Sequence, residues 1–213
     1  MTEPNIELLN LDCLPFMKGC ADKEFDLAIV DPPYSETFNT NAFANNKGKK
    51  GDYNIDTLNG HLPTDEYWTE LFRISKNQII WGANWYGKYF GVGGICWDKD
   101  NTGNYSPCEY AYQSFNNHIH IYKYRWNGML QQDMKNKEER IHPTQKPKNL
   151  YKWLLDKFAV TGDKILDTHL GSGSIALACY DLKFDFTGIE IDKGYFDKAS
   201  KRLKVHKQQL TLF

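Results

Sequence analysis

The sequence Phe25-Asp26-Leu27-Ala28-Ile29-Val30-Asp31-Pro32-Pro33-Tyr34 decides the fold. Its first six residues form an apolar run typical of a buried strand, and the next four add an acid, two prolines and an aromatic ring. Proline fixes φ and has no N–H, so carbonyls in this turn stay free to accept hydrogen bonds, while tyrosine offers a flat face for stacking. The stretch therefore predicts a rigid polar pocket for a planar heterocycle with an exocyclic amine. A proline-rich turn that only closes the strand is the structural alternative.

Length, charge and cysteine usage set limits on the class of protein. A chain of 213 residues suits one α/β domain with a sizeable core. The net charge of −1 gives no overall attraction to nucleic acid, so any basic surface must be local. Five scattered cysteines without a CxxC pair argue against a zinc site and a disulfide framework. No apolar run reaches about 18 residues and no signal peptide opens the sequence, so we expect a location in the reducing cytoplasm.

Strand-like and helix-like segments alternate along the chain. This alternation predicts a mostly parallel, seven-stranded sheet with helices on both faces. We expect residues 1–213 to form one domain, with a mobile loop at 35–63, a short insert at 124–141 and a flexible tail at 208–213. The predicted strands are 6–9, 25–30, 78–81, 94–97, 118–122, 164–167 and 184–190, and the clearest predicted helices cover 65–75 and 147–158.

A second chemical signal is the glycine-rich segment Asp167-Thr168-His169-Leu170-Gly171-Ser172-Gly173, between a predicted strand and a helix. Glycines at such a turn let the backbone approach a ligand closely. Glu190 ends the next strand, where an acid can accept both ribose hydroxyls. Together they predict a site for a cofactor that contains adenosine. A dinucleotide is the rival, although the turn lacks G-x-G-x-x-G, and an ordinary βαβ turn with a surface Glu is the structural alternative.

The order of three motifs carries a family resemblance. The tetrapeptide at 31–34 comes first, His142-Pro143-Thr144-Gln145-Lys146-Pro147 follows, and the glycine turn comes last. This order resembles the permuted β group of DNA amino-methyltransferases, and within it the small phage and prophage DNA adenine methylases. The resemblance implies a Rossmann-like methyltransferase fold, S-adenosylmethionine as cofactor and double-stranded DNA as substrate.

The resemblance also implies roles for individual residues. Asp31, Pro32, Pro33 and Tyr34 would form the catalytic pocket. Family members usually carry Phe where this chain has His169, which leaves the role of that position open. The implied cofactor contacts are Asp12 at the adenine ring, Glu190 at the ribose, Thr144 and Lys146 at the carboxylate, and Asp167, His169, Gly171, Ser172 and Gly173 on the methionine side.

The implied reaction is direct methyl transfer to an exocyclic amine. The target nucleotide leaves the duplex and stacks on Tyr34, while the Asp31 carboxylate and the Pro32 carbonyl accept hydrogen bonds from its NH2 group. Asp at the first motif position is typical of adenine N6 enzymes, whereas cytosine N4 enzymes more often carry Ser. Cytosine N4, an RNA base and a degenerate fold that only binds a partner remain alternatives. Cytosine C5 chemistry needs a nucleophilic Cys, and Pro107-Cys108 lies outside the order that it uses.

DNA contacts are expected from local clusters of basic and aromatic residues. Such interleaving suits phosphate contact plus stacking, although a solvated surface with ordinary core rings explains it equally well. The insert at 124–141 would host target recognition, and its shortness favours a short recognition sequence. The predicted DNA contacts are Lys47, Lys49, Lys50, Lys123, Arg125, Trp126, Lys135, Lys137 and Arg140.

Two remaining features concern partners and metals. The terminal sequence Gln209-Leu210-Thr211-Leu212-Phe213 resembles the pentapeptide by which bacterial replication proteins dock on the sliding clamp, and a homodimer is also expected from the resemblance. His118 and His120 lie on one strand face, but no third ligand is evident, so packing is favoured over a metal site.

Overall fold

The secondary structure follows the predicted alternation of strands and helices. The computed structural model describes residues 3–33, 62–101, 106–127 and 130–210, without the side chain of Leu210. Tyr34, most of the loop predicted at 35–63 and residues 211–213 of the tail lie outside these ranges. In chain order the helices and strands are β1 (Ile6–Leu9), α1 (Cys13–Gly19), β2 (Phe25–Val30), α2 (Asp65–Ile74), β3 (Ser75–Trp81), β4 (Gly94–Asp98), β5 (Cys108–Gln113), β6 (Ile119–Lys123), β7 (Trp126–Asn127), β8 (Leu130–Gln131), α3 (Lys148–Phe158), β9 (Lys164–Asp167), α4 (Ser174–Leu182), β10 (Asp185–Ile189) and α5 (Lys193–Leu210).

Within these ranges, eight strands form one mixed sheet in the order β1-β10-β9-β2-β3-β5-β4-β6. Within the series β1-β10-β9-β2-β3, all four strand pairings are parallel. By contrast, β5 is antiparallel to both β3 and β4, and β6 pairs with β4 in parallel. The sheet is therefore mostly parallel, as predicted, with one antiparallel strand inserted beside β3.

The strand β2 lies at the centre of the core. Five of its six residues are buried, and only Asp26, near its start, is partly exposed. A strand covered on both faces needs apolar residues at every position, which explains the continuous run that the sequence shows. The buried strand predicted at 25–30 is confirmed, and it delivers Asp31 to the carboxyl edge of the sheet.

Helices pack on both faces of the sheet. On one face, α1 and α2 contribute Met17 and Leu71 to an apolar cluster with the sheet. On the other, α3, α4 and α5 contribute Leu154, Ala178 and Leu203. No helix in the described part of the chain combines the length and the apolar character needed to span a membrane.

Several elements differ from the prediction. The sheet has eight strands instead of seven, because residues 108–113 form β5. This segment has no Val, Ile or Leu, so its strand pattern is weak. The short helix α1, capped by Asp12, and the hairpin β7–β8 inside the predicted insert are further additions. Helix α5 runs to Leu210, so residues 208–210 of the predicted tail are helical.

The chain entering β4 depends on a glycine. A Cβ atom on Gly93 would lie 2.1 Å from the Asn116 carbonyl oxygen and 2.4 Å from that of Gln113. These are backbone atoms that cannot rotate away, so we expect Gly93→Ala to lower the free energy of unfolding by about 1–3 kcal/mol. Gly91→Ala is the matched control, because its nearest neighbour would be the Tyr112 ring at 3.7 Å. Urea unfolding measures both variants, and equal midpoints would contradict the clash.

Candidate active site

Three acidic residues lie where adjacent parallel strands end. The strands β10, β9 and β2 are consecutive in the sheet, and Glu190, Asp167 and Asp31 stand at their carboxyl ends. Ligands of open α/β sheets bind in the crevice outside this edge. A cavity of about 890 Å³, including its open mouth, lies there. Its lining residues are Asp31, Pro32, Pro33, His142, Thr144, Gln145, Lys146, Tyr151, His169, Leu170, Gly171, Ser172, Glu190, Ile191, Asp192 and Tyr195.

The turn after β9 brings the backbone up to this cavity. Gly171 and Gly173 have φ of 52° and 69°, in the left-handed region that favours glycine. The Gly173 N–H donates to the Leu170 carbonyl at 2.9 Å, and the Leu170 N–H donates to the Ile189 carbonyl at 2.8 Å. The turn is therefore fixed both to the start of α4 and to the end of β10.

Glu190 holds this turn from the neighbouring strand. Its Oε2 accepts the Gly171 N–H at 2.8 Å, and its Oε1 accepts the Asp192 N–H at 2.9 Å. Burial raises the pKa of Glu190, and the backbone hydrogen bonds oppose that rise. Each carboxylate oxygen keeps a further lone pair. The same acid can therefore fix the turn and accept hydroxyl groups from a ligand.

Asp31 has one paired and one unpaired oxygen. Its Oδ2 accepts a hydrogen bond from the Lys146 ammonium at 2.5 Å. Its Oδ1 is buried and meets no hydrogen-bond donor among the described residues. Burial raises the pKa of Asp31, and the Lys146 charge opposes that rise. Leaving a buried acceptor unsatisfied costs about 1–3 kcal/mol, so the site favours a ligand that places an N–H donor there.

Three titratable groups at the cavity or next to it have pKa values shifted toward their neutral forms. Burial raises the pKa of Asp167 to about 8, although its Oδ1 accepts the His169 N–H at 2.9 Å. Burial also lowers the pKa of His169 to about 4 and that of His142 to about 3. The His142 ring packs edge-on against Tyr195, with centroids 4.3 Å apart. Both imidazoles are therefore neutral near pH 7.

The cavity brings together most of the residues that the resemblance assigns to catalysis and cofactor binding. Asp12, Asp167 and Gly173 are exceptions that do not line the cavity. Asp12 instead caps α1 by accepting the Leu14 N–H at 2.9 Å. Lys146 lines the cavity, yet its ammonium pairs with Asp31 and Glu109. The cofactor contacts of all these residues stay predictions. The predicted residues that line the cavity are Asp31, Pro32, Pro33, Thr144, Lys146, His169, Gly171, Ser172 and Glu190.

Trp126, predicted at the DNA interface, occupies a core position. It is 6% exposed, and its indole N–H donates to the Gln145 carbonyl at 2.9 Å. Its ring therefore presents little surface on which a base could stack. Of the two explanations that the sequence left open for this ring, the structure favours the ordinary core role.

The predicted basic contacts differ in their surroundings. Lys123 and Arg125 both pair with Asp100, at 2.8 and 2.5 Å. Lys135 and Lys137 are exposed. The partly buried Arg140 donates to a backbone carbonyl, and Lys47, Lys49 and Lys50 lie outside the described residues.

Glu109 is a charged group near the site that the sequence did not predict. Its Oε2 lies 3.1 Å from the Lys146 ammonium, and its other oxygen pairs with Lys99. In the sequence it is a single acid in a weak strand pattern. Only the pairing of β5 with β3 brings Glu109 close to Asp31, and the local sequence does not predict that pairing.

Sequence comparison identifies related proteins. Residues 97–201 match a family described as DNA methylase, N6_N4_Mtase. The type II methyltransferase M2.DpnII of Streptococcus pneumoniae is 25% identical over 248 aligned positions, covering 94% of this chain and 90% of that protein. M2.LlaDCHI of Lactococcus lactis subsp. cremoris is 25% identical over 253 positions, with coverage of 95% and 93%.

Comparison with solved structures gives the same fold. An M1.HpyAVI–SAM complex matches with a TM-score of 0.61 and 21% identity, covering 93% of this chain and 100% of that one. The cytosine-N4-specific PvuII DNA methyltransferase matches with a TM-score of 0.61 and 9% identity, covering 98% and 93%. The likeness establishes an α/β methyltransferase fold. Together with the match of residues 97–201, this fold makes the chain similar to DNA methylases of the N6/N4 family.

Proposed function

We propose that this protein is an S-adenosylmethionine-dependent DNA adenine N6-methyltransferase. One observation carries the proposal: a single cavity has Asp31, Pro32 and Pro33 in its lining together with Gly171 and Glu190. Direct transfer needs the methyl donor and the accepting amine in one cavity, because no carrier group moves between them. The match of residues 97–201 to the N6/N4 DNA methylase family supports DNA as the substrate.

The residues at the glycine turn fit S-adenosylmethionine. Glu190 is buried at the cavity, and its oxygens keep lone pairs that suit the two ribose hydroxyls. The Gly171 backbone approaches the cavity without a side chain, and Ser172 and Thr144 add hydroxyl groups to its lining. We assign cofactor binding to these residues. When bound there, the cofactor supplies an electrophilic methyl group on a sulfonium.

The residues at the end of β2 position the target amine. The base is unreachable inside a duplex, so the target nucleotide must be flipped into the cavity. There the unpaired Asp31 Oδ1 accepts one amine hydrogen, and the Pro32 carbonyl accepts the other. Burial raises the pKa of Asp31 and Lys146 opposes that rise, so the ammonium favours the ionised form, which accepts and does not donate. Tyr34, outside the described residues, is the proposed stacking platform. No covalent enzyme intermediate is required.

Adenine N6 is favoured over cytosine N4 by Asp at the first position of the tetrapeptide. Both bases present an amine on a planar ring, and a carboxylate can accept from either. Cytosine N4 is therefore the second candidate, and the PvuII enzyme, which is described as cytosine-N4-specific, shares the fold at 9% identity. An RNA base is a further alternative that the same pocket chemistry allows.

One experiment tests the function directly. The protein is incubated with radiolabelled S-adenosylmethionine and unmethylated double-stranded DNA, the DNA is digested to nucleosides, and the labelled nucleoside is identified by chromatography and mass spectrometry. We expect N6-methyldeoxyadenosine. Label in N4-methyldeoxycytidine would replace adenine with the second candidate, label only with an RNA substrate would move the function to RNA, and no label in any base would refute the proposal.

The expectations about partners and location stay predictions. We propose double-stranded DNA as the substrate, a homodimer, and the cytoplasm of a bacterium or phage-infected cell as the site of action. The clamp-docking pentapeptide extends beyond the described residues. Calorimetry with a sliding clamp, with and without residues 209–213, tests it, and binding that does not depend on the tail would exclude it.

A further inference from the structure

Four charged side chains, of which Asp31 is the first, form a row of ion pairs. The Lys146 ammonium lies 2.5 Å from Asp31 Oδ2 and 3.1 Å from Glu109 Oε2. The second Glu109 oxygen pairs with the Lys99 ammonium. Two acids and two cations alternate in this row, so both carboxylates have a cationic neighbour.

The middle of this row of ion pairs is buried. The Lys146 side chain is 2% exposed, and its ammonium lies 5.2 Å from the ring centroid of the fully buried Trp81. Burial alone would raise the pKa of Glu109, but Lys146 and Lys99 outweigh it and lower that pKa to about 2. Glu109 therefore stays ionised next to a buried cation.

The position of Glu109 decides which oxygen of Asp31 is left open. A lysine ammonium has three donors on a flexible stem and does not select one carboxylate oxygen by itself. Without Glu109 beside it, the ammonium could swing across the Asp31 carboxylate and occupy both oxygens. Glu109 draws it to the other side, so that it contacts Oδ2 and leaves Oδ1 without a donor.

We propose that Glu109 is a positioning residue for methyl transfer, acting through Lys146 to keep Asp31 Oδ1 open for the target amine. Lys99 fixes Glu109 from the far side. This inference rests on the proposed function, in which that oxygen accepts a hydrogen from the flipped base. It assigns a role to a residue of β5, which shares no sequence motif with the other residues of the site.

The first test is Glu109→Gln in the full-length protein. We expect kcat for DNA methylation to fall about tenfold or more, since small misplacements of reacting groups cost up to about 100-fold. Calorimetry should show an unchanged Kd for S-adenosylmethionine, and KM for DNA should not move. Asp181→Asn is the matched control, because this carboxylate also lies between two lysines, Lys148 at 3.1 Å and Lys152 at 2.6 Å, and does not line the cavity. We expect the control to keep the wild-type kcat, and an unchanged kcat in Glu109→Gln would overturn the proposal.

A double-mutant cycle tests whether Glu109 acts through Lys146. We expect Glu109→Gln to cause no further loss of kcat in a Lys146→Met background, because residues that act as one unit are not additive. An equal fold-loss in both backgrounds would overturn the proposed route. Should Glu109→Gln not fold, Glu109→Asp keeps the charge and withdraws the carboxylate by one methylene. Positioning requires that variant to lose kcat, and wild-type turnover would refute the idea.

A spectroscopic readout separates failure of this proposal from failure of the proposed function. The carboxyl carbon of Asp31 is followed by NMR over a pH titration in ¹³C-aspartate-labelled protein and assigned with Asp31→Asn. The charged groups facing Asp31 are Lys146, Glu109 and Lys99, with Asp167 nearby. In Glu109→Gln we expect the pKa of Asp31 to fall, because a negative neighbour is removed and the ammonium moves fully onto Asp31. An unchanged titration overturns the positioning role even if the wild-type protein methylates no base.

Discussion

Asp31→Asn should lower kcat for methyl transfer by about 100- to 1,000-fold, the usual cost of removing one preorganised hydrogen-bonding group from a reacting centre. The reason lies in how Lys146 orients the new amide. The ammonium, 2.5 Å from Oδ2, would hold the carbonyl oxygen of the substituted side chain in that position. The NH2 group would then take the place of Oδ1 and present a donor to a target amine that is itself a donor. Radiolabelled methyl transfer to DNA under single-turnover conditions measures the effect.

The control for this prediction lies on the same strand. Asp26 also pairs with a lysine, Lys76 at 2.6 Å, but it stands near the opposite end of β2. We expect Asp26→Asn to keep the wild-type kcat and Asp31→Asn to keep its Kd for S-adenosylmethionine. Tyr34→Ala should lose turnover in the same way if it stacks on the base. Wild-type turnover by Asp31→Asn would remove this residue from the mechanism.

The sequence predicts the site because its chemistry sits at the ends of neighbouring parallel strands. Asp31, Asp167 and Glu190 lie far apart in the chain, yet each follows or closes a strand that reads clearly as buried. Parallel strands joined by helices place all their carboxyl ends on one edge, so strand identity alone brings such residues together. The part of the site proposed to bind the cofactor needs only the turn after β9 and the acid after β10. Both are local features of the sequence.

The antiparallel part of the sheet follows no such rule. The pairing of Ile79 with Gln113 places β5 beside β3, and nothing in the Cys108–Gln113 segment specifies that neighbour. Glu109 reaches Lys146 only through this pairing. The burial of Trp126 could not be predicted from its own segment either, because it depends on the loop that holds Gln145. Contacts between distant segments determine the surroundings of both residues, and the local sequence pattern does not predict such contacts.

Glu190→Gln should weaken S-adenosylmethionine binding about tenfold to a hundredfold, which is the range expected when one buried hydrogen-bonding group loses its partner. The carboxylate of Glu190 accepts the Gly171 and Asp192 N–H groups at 2.8 and 2.9 Å. A glutamine has one acceptor oxygen, so one of the two N–H groups is left unsatisfied and the second ribose hydroxyl loses its acceptor. The defect lies in binding, so kcat at saturating cofactor should change little.

Isothermal calorimetry with S-adenosylmethionine measures this loss, and Asp163→Asn supplies the comparison. Asp163 also accepts a backbone N–H within a turn, that of Val160 at 2.9 Å, but it does not line the cavity. Its replacement should affect stability alone. Thermal unfolding with and without cofactor then separates the two effects, because a ligand stabilises the native state in proportion to its affinity. A Glu190→Gln protein with lower stability and unchanged affinity would make Glu190 a support for the turn and exclude a direct contact with the ribose. A weakened affinity at equal stability would establish that contact.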